Sequence, residues 1–151
     1  MFVNLYIQSE YSMLSSSISI HDLMDFCILD KQKAITLTDN GMYGAFKFYK
    51  SCQDKGIKPI IGLRLLLNDG FYNNVVLVYA RNYIGYQSLL KLATKQANKE
   101  FITLEDLSYY KDNLIIVLAS DEHELIRLVR DHNDSRAEIL LNDYIKALDI
   151  F

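Results

Sequence analysis

A chain of 151 residues, half of them hydrophobic, is long enough to bury one domain-sized core. Its formal charge of -3, from 16 Lys and Arg against 19 Asp and Glu, supplies no global field for holding a polyanion, so any nucleic acid is expected to be handled elsewhere. No Lys or Arg precedes the first apolar residues and no run approaches the roughly 18 apolar residues of a span, which argues against a signal peptide or membrane helix and for the cytoplasm. Cys27 and Cys52 lack C-x-x-C spacing and read as buried, reduced thiols.

In chain order, Phe2 to Ile7 is expected as a short strand, followed by a polar loop through Ser17. Ser19 can cap a helix over Ile20 to Asp30, with Asp22 returning the reciprocal bond. Ala34 to Leu37 predicts a buried strand, and Thr38, Asp39, Asn40 and Gly41 a turn at its C-terminal end. Gly44 to Lys55 has helical period with Phe46, Tyr49 and Cys52 facing inward, and Gly56 is placed to end that helix with positive φ.

Pro59 stands at the mouth of a third strand, Ile60 to Leu67, where a missing amide hydrogen harms a sheet least. Asn68, Asp69 and Gly70 then turn into Asn74 to Ala80, an antiparallel hairpin or edge excursion. Ile84 to Gln96 predicts a helix, Thr103 with Asp106 a boxed short helix ending near Tyr110, Leu114 to Ala119 a strand and Asp121 to Arg130 a helix. Ser135 with Glu138 caps a last helix carrying Leu140, Leu141, Tyr144, Ile145 and Leu148 inward. About five strands alternating with helices imply an α/β fold on a mainly parallel sheet.

Ligands in such folds sit beyond the C-terminal ends of strands. Those ends offer Tyr6, Gln8 and Glu10, then Asp39 and Asn40, then Arg64, then Ser120 and Asp121. A divalent metal needs several imidazoles or carboxylates converging there, and too few are present. Asp39 reads either as a contact to an ion or polar network or as a loop carboxylate, and Glu10 as a solvated loop residue. His21 sits in the first turn of a capped helix, while His123 and His132 lie nine residues apart, which is not a ligand spacing. Ser9 and Ser120 lack a nucleophile elbow. Lys47, Lys50, Lys55 and Lys58 read as a solvated helix face, with DNA or phosphate contact as the rival reading.

The stretch Leu5-Tyr6-Ile7-Gln8-Ser9-Glu10-Tyr11-Ser12-Met13-Leu14 resembles the Leu-His-x-His-Ser-Glu-Tyr-Ser-x-Leu opening of the polymerase and histidinol phosphatase (PHP) domain. The segments from Leu37 to Gly62 and from Asn82 to Gln96 look like the version carried by bacterial DNA polymerase III alpha subunits, of the DnaE type of low-GC Gram-positive bacteria. The resemblance implies part of a distorted seven-stranded β/α barrel, mainly parallel with flanking helices, and places residues 1–151 as an N-terminal portion of a larger domain and protein. It matches the family's metal-binding histidines to Tyr6 and Gln8, its Asp-His to Asp39 and Asn40, and its later glutamate to Arg64.

Only Asp39 keeps a ligand's identity, so no catalytic or cofactor-binding residue is expected, nor Mn²⁺ or Zn²⁺ binding; Mg²⁺ would serve the parent's polymerase module. Arg64 is expected in the cation position, paired with Asp39 or Glu10, and its deletion to cost about 3 to 5 kcal/mol if that pair is buried. The implied function is a structural and positioning segment of a DNA-synthesising subunit, touching the rest of that subunit and other replisome proteins, with DNA held by the parent. The rivals are a residual metal-dependent phosphoesterase or 3'-5' exonuclease, and a replisome-docking module using Phe71 and Tyr72. A partial barrel would leave open strand edges and apolar helix faces, so limited solubility or self-association is expected.

Overall fold

The computed structural model describes residues 2–68, 73–118 and 123–148. Ser19 has extended backbone and its hydroxyl accepts the Asp22 amide hydrogen, which starts α1 (Ile20–Leu29) where the sequence placed it. The return bond runs from side chain to side chain, Ser19 Oγ donating to Asp22 Oδ2 at 2.7 Å. After β1 (Ala34–Leu37), α2 (Ala45–Lys55) stops at Gly56, whose φ of 65° suits a residue without Cβ.

Next come β2 (Lys58–Asn68), β3 (Asn73–Ala80), α3 (Tyr83–Ala97), α4 (Leu104–Tyr110), β4 (Leu114–Leu118), α5 (Glu124–Arg130) and α6 (Asp134–Leu148). The Thr103–Asp106 capping box forms with both of its bonds. α5 begins later than expected because His123 is its cap: the buried imidazole accepts the Leu125 N–H on Nδ1 at 3.1 Å and meets the Tyr144 hydroxyl with Nε2 at 3.0 Å. One ring thereby starts α5 and joins it to α6.

The expected portion of a mainly parallel, seven-stranded barrel is not the architecture. Among the described residues four strands form one open sheet in the order β1-β2-β3-β4. Only β1 and β2 run parallel, and both other pairings are antiparallel. Two connections cause this. The four residues 69–72 between β2 and β3 are too few for a crossover, which takes a dozen or more. Between β3 and β4 the chain passes through two helices rather than one, so β4 begins at the end where β3 stops, with Leu114 opposite Ala80.

The strand expected at Phe2–Ile7 is also absent. Ile7 makes a single backbone bond beside β1, its carbonyl accepting from Thr38 N–H at 2.7 Å, and Thr38 Oγ1 takes the Ile7 N–H.

Strand alternation sorts the core. Ile35 and Leu37 pack with α1 and α2 around Phe48 and Cys52, while Leu63, Leu65, Val76 and Val78 meet α3, α4 and α6. The opposite face of the sheet holds Val75, Leu77 and Tyr79 against Ile60. On α2 the expected inward face holds for Cys52 alone: Ala45, Phe48 and Cys52 are buried, whereas Phe46 is 72% exposed and Tyr49 also points out. Two apolar stripes lie one residue apart on this helix, and the one that places Cys52 against Met24 (3.7 Å between sulfurs) faces the core. On α6, Ala137, Tyr144 and Leu148 are buried while Leu141 and Ile145 stay partly outside. No helix among the described residues is long and apolar enough to cross a membrane.

Candidate functional site

The site forms where the parallel pair ends. Asp39 and Asn40 follow β1, residues 7–12 run alongside, and Arg64 stands on β2 three positions beyond the last β1 pairing, its N–H donating to Asp39 O at 3.0 Å. Asp39 is 1% exposed. Its Oδ1 accepts the Ser9 N–H at 2.6 Å and the Ser12 hydroxyl at 2.7 Å, and its Oδ2 accepts the Ser9 hydroxyl at 2.7 Å. Ser12 Oγ in turn accepts the Asn40 N–H at 3.0 Å. The carboxylate therefore staples the serine loop onto the strand end, with three of its roughly four acceptor positions committed.

Arg64 goes elsewhere. Its Nε donates to the Tyr6 hydroxyl at 3.2 Å and its Nη1 to Asn40 Oδ1 at 3.3 Å, while Gln8 Nε2 donates to the same Asn40 oxygen at 3.1 Å. Tyr6, Arg64, Asn40 and Gln8 are thus joined in one chain of hydrogen bonds. The expected pairing of Arg64 with Asp39 or Glu10 does not form, because serines hold Asp39 and Glu10 accepts from Lys47 Nζ at 2.9 Å. The 3 to 5 kcal/mol assigned to losing that pair has no basis in this geometry. Hydrogen bonding to Glu10 holds the Lys47 ammonium above its ordinary pKa, and the ammonium lies 5.6 Å from the Tyr11 ring centre.

Two residues that the sequence did not single out hold the site in place. Gln96 at the end of α3 donates to Asn40 O at 2.9 Å and Arg64 O at 3.1 Å, and accepts the Leu66 N–H at 2.9 Å. A helix is thereby locked to the end of β1 and to β2 beside it. Tyr79 donates to Leu5 O at 2.5 Å, and burial, then the nearby Tyr6, pushes its phenol up to about 12. Gly62 is needed here because a Cβ would lie 2.7 Å from the Tyr79 ring and 2.9 Å from the Thr38 methyl. The only sequence signal for the serine staple was a pair of hydroxyls three residues apart after an apolar stretch.

These residues do not fit a divalent cation. Tyr6 offers a phenol, which ligates a divalent ion well only as phenolate, the Gln8 and Asn40 amides are neutral donors engaged with each other, and Arg64 brings fixed positive charge. Among the described residues no group of three or more His, Cys, Asp and Glu could hold a metal ion. His21 is exposed on α1 beside Asp25 at 3.4 Å, His123 is sealed between α5 and α6, and His132 follows α5 on the surface. Lys50, Lys55 and Lys58 are exposed. Ser120, Asp121, Phe71 and Tyr72 lie outside the described residues.

Several proteins similar in sequence are DNA polymerase III alpha subunits. A DNA polymerase III subunit alpha from Halalkalibacterium halodurans is 38% identical over 122 residues, covering 77% of this chain and 11% of that protein. The one from Ureaplasma parvum serovar 3 is 40% identical over 119 residues, 78% of this chain and 12% of that protein. One from Staphylococcus epidermidis is 34% identical over 145 residues, 94% and 14% respectively. The chain thus spans 11–14% of the length of these relatives. Among solved structures, an amidohydrolase from Chromobacterium violaceum overlays with a TM-score of 0.49 at 13% identity, over 64% of this chain and 35% of that one, too loosely to bear on function. The sequence profile of the PHP domain matches residues 4–150, so the chain belongs to the PHP domain family and is a module related to the DNA polymerase III alpha subunit.

Proposed function

We propose that this domain is a packing and positioning module of a DNA polymerase III alpha subunit and carries out no metal-dependent phosphoester hydrolysis. The observation that supports this reading is the hydrogen-bonded chain Tyr6–Arg64–Asn40–Gln8, which occupies the positions matched to family ligands with one cation and three neutral side chains. Asp39, the one carboxylate kept, serves to fasten the loop at Ser9 and Ser12.

In the whole protein, DNA-templated synthesis and its Mg²⁺ ions belong to other segments, as does the grip on DNA. This domain contacts the rest of the alpha subunit and neighbouring replisome proteins. Its own residues hold backbone in place: Gln96 spans the end of β1 and β2 beside it, and Tyr79 anchors the chain at Leu5.

The test is hydrolysis of p-nitrophenyl phosphate and of a 3'-mismatched primer by the purified chain, with Mn²⁺ or Zn²⁺ added and with chelator. The expected result is no difference between the two conditions. Turnover that chelation abolishes, and that survives repurification, supports the phosphoesterase reading and defeats this one.

A further inference from the structure

Between α2 and α3 lies a groove of about 490 Å³, floored by Pro59 and Ile61, walled by Phe46 and Tyr49 on one side and by Tyr83 and Tyr86 on the other, with Arg81 in its lining. Phe46 and Tyr83 are each 72% exposed. Exposed aromatics beside an arginine are the residue types enriched in protein interfaces. Tyr83 and Tyr86 already stack, with ring centres 6.3 Å apart and planes at 28°, so that wall is preformed and costs little to order on binding.

The charge around the groove says what it fits. α3, β2 and β3 contain no acidic residue and α2 contains only Asp54 beside three lysines, in a chain whose net charge is -3. Lys47 is taken by Glu10 and Lys95 by Asp106. Arg81 is exposed and, among the described residues, its side chain has no hydrogen-bond or ion-pair partner. An apolar floor takes a side chain, and an uncommitted guanidinium beside it takes a carboxylate.

We propose that this groove docks an acidic peptide segment of a partner protein, with an aliphatic or aromatic anchor seated on Pro59 and Ile61 and an adjacent Asp or Glu paired with Arg81. The inference stands apart from the scaffold reading above, since it uses none of the residues at the strand ends. Single-stranded nucleic acid would also meet aromatics and an arginine here, but two tyrosines stacked on each other and an apolar floor favour a side-chain anchor over bases.

The test is selection of a phage-displayed random peptide library on the immobilised 151-residue chain, followed by affinity measurement on one enriched peptide. The expected motif pairs an apolar residue with Asp or Glu within a few positions. Tyr83→Ser and Arg81→Glu, both at exposed positions, each weaken that peptide about tenfold or more, and Arg81→Glu shifts the selection toward Lys and Arg. Circular dichroism of both variants matching the parent excludes unfolding as the cause. No enrichment, enrichment without acidic residues, or peptides indifferent to both variants overturns the proposal. A labelled oligothymidylate whose binding falls in both variants while the peptide's does not assigns the groove to nucleic acid and overturns it equally.

Discussion

Replacing Asp39 with Ala removes one buried carboxylate and strands three donors together. Ser9 N–H, the Ser9 hydroxyl and the Ser12 hydroxyl reach Asp39 at 2.6, 2.7 and 2.7 Å, in a site where Ser9 and Ser12 are as buried as Asp39. A hydrogen bond to a charged group contributes about 1.5 to 3 kcal/mol, and a buried amide left unmade costs about 1 to 3 kcal/mol. The hydroxyls can rotate toward other acceptors whereas the amide cannot, so the loss is smaller than three full bonds, about 3 to 5 kcal/mol. Asp39→Asn keeps the shape and one acceptor oxygen but turns an N–H toward the serines, for about 1 to 2 kcal/mol. Equilibrium urea unfolding followed by circular dichroism measures both. At roughly 2 to 4 °C per kcal/mol for a chain of this size, the Ala variant should melt about 10 °C lower. A loss below about 1 kcal/mol for Asp39→Ala refutes the staple and with it the structural role of this carboxylate.

Tyr79→Phe removes the bond to Leu5 O and should cost about 1 kcal/mol, read as faster proteolysis ahead of Ile7. Because the folded phenol is raised to about 12, its stabilisation is complete below the unfolded value near 10 and is lost as pH climbs through 12. Alkaline unfolding between those limits should therefore be steeper in the parent than in Tyr79→Phe; parallel curves exclude it. Gly85→Ala sets helix propensity, worth up to about 1 kcal/mol in favour of Ala, against a Cβ only 2.1 Å from the Asn113 carbonyl oxygen. Backbone overlap outweighs propensity, so the variant loses about 1 to 3 kcal/mol in urea unfolding, and unchanged stability contradicts the packing. Burial pushes the Cys52 thiol up to about 12 and also raises Cys27, so neither should react with Ellman's reagent at pH 8 until the chain unfolds; prompt labelling of the native protein counts against this core.

Most local chemistry was readable from the sequence, although Ser135, expected as a cap, lies inside α6; long-range geometry was not. Ser19, Gly56 and the Thr103–Asp106 box set helix ends through neighbours within a few residues, and each sits where its spacing put it. Strand direction depends on where a connection returns the chain, and nothing in the α3 or α4 sequence says that both helices intervene before β4 pairs with β3. The α2 face was misread because Phe46 and Tyr49 make as good a stripe as Ala45 and Phe48, and only packing against α1 decides between them. At the site, the resemblance named the positions and the structure supplied their bonding. Four of them join each other, while the fifth, Asp39, binds serines about thirty residues away in sequence, a pairing no local pattern encodes.

The most direct test of the account is calorimetric titration of the native chain with Mn²⁺ and Zn²⁺, beside a variant carrying Tyr6→His, Gln8→His, Asn40→His and Arg64→Glu. The account predicts no saturable heat from the native chain and one-site binding on restoring imidazole and carboxylate donors. One-to-one binding of either ion by the native chain, with Arg64 unaltered, contradicts it.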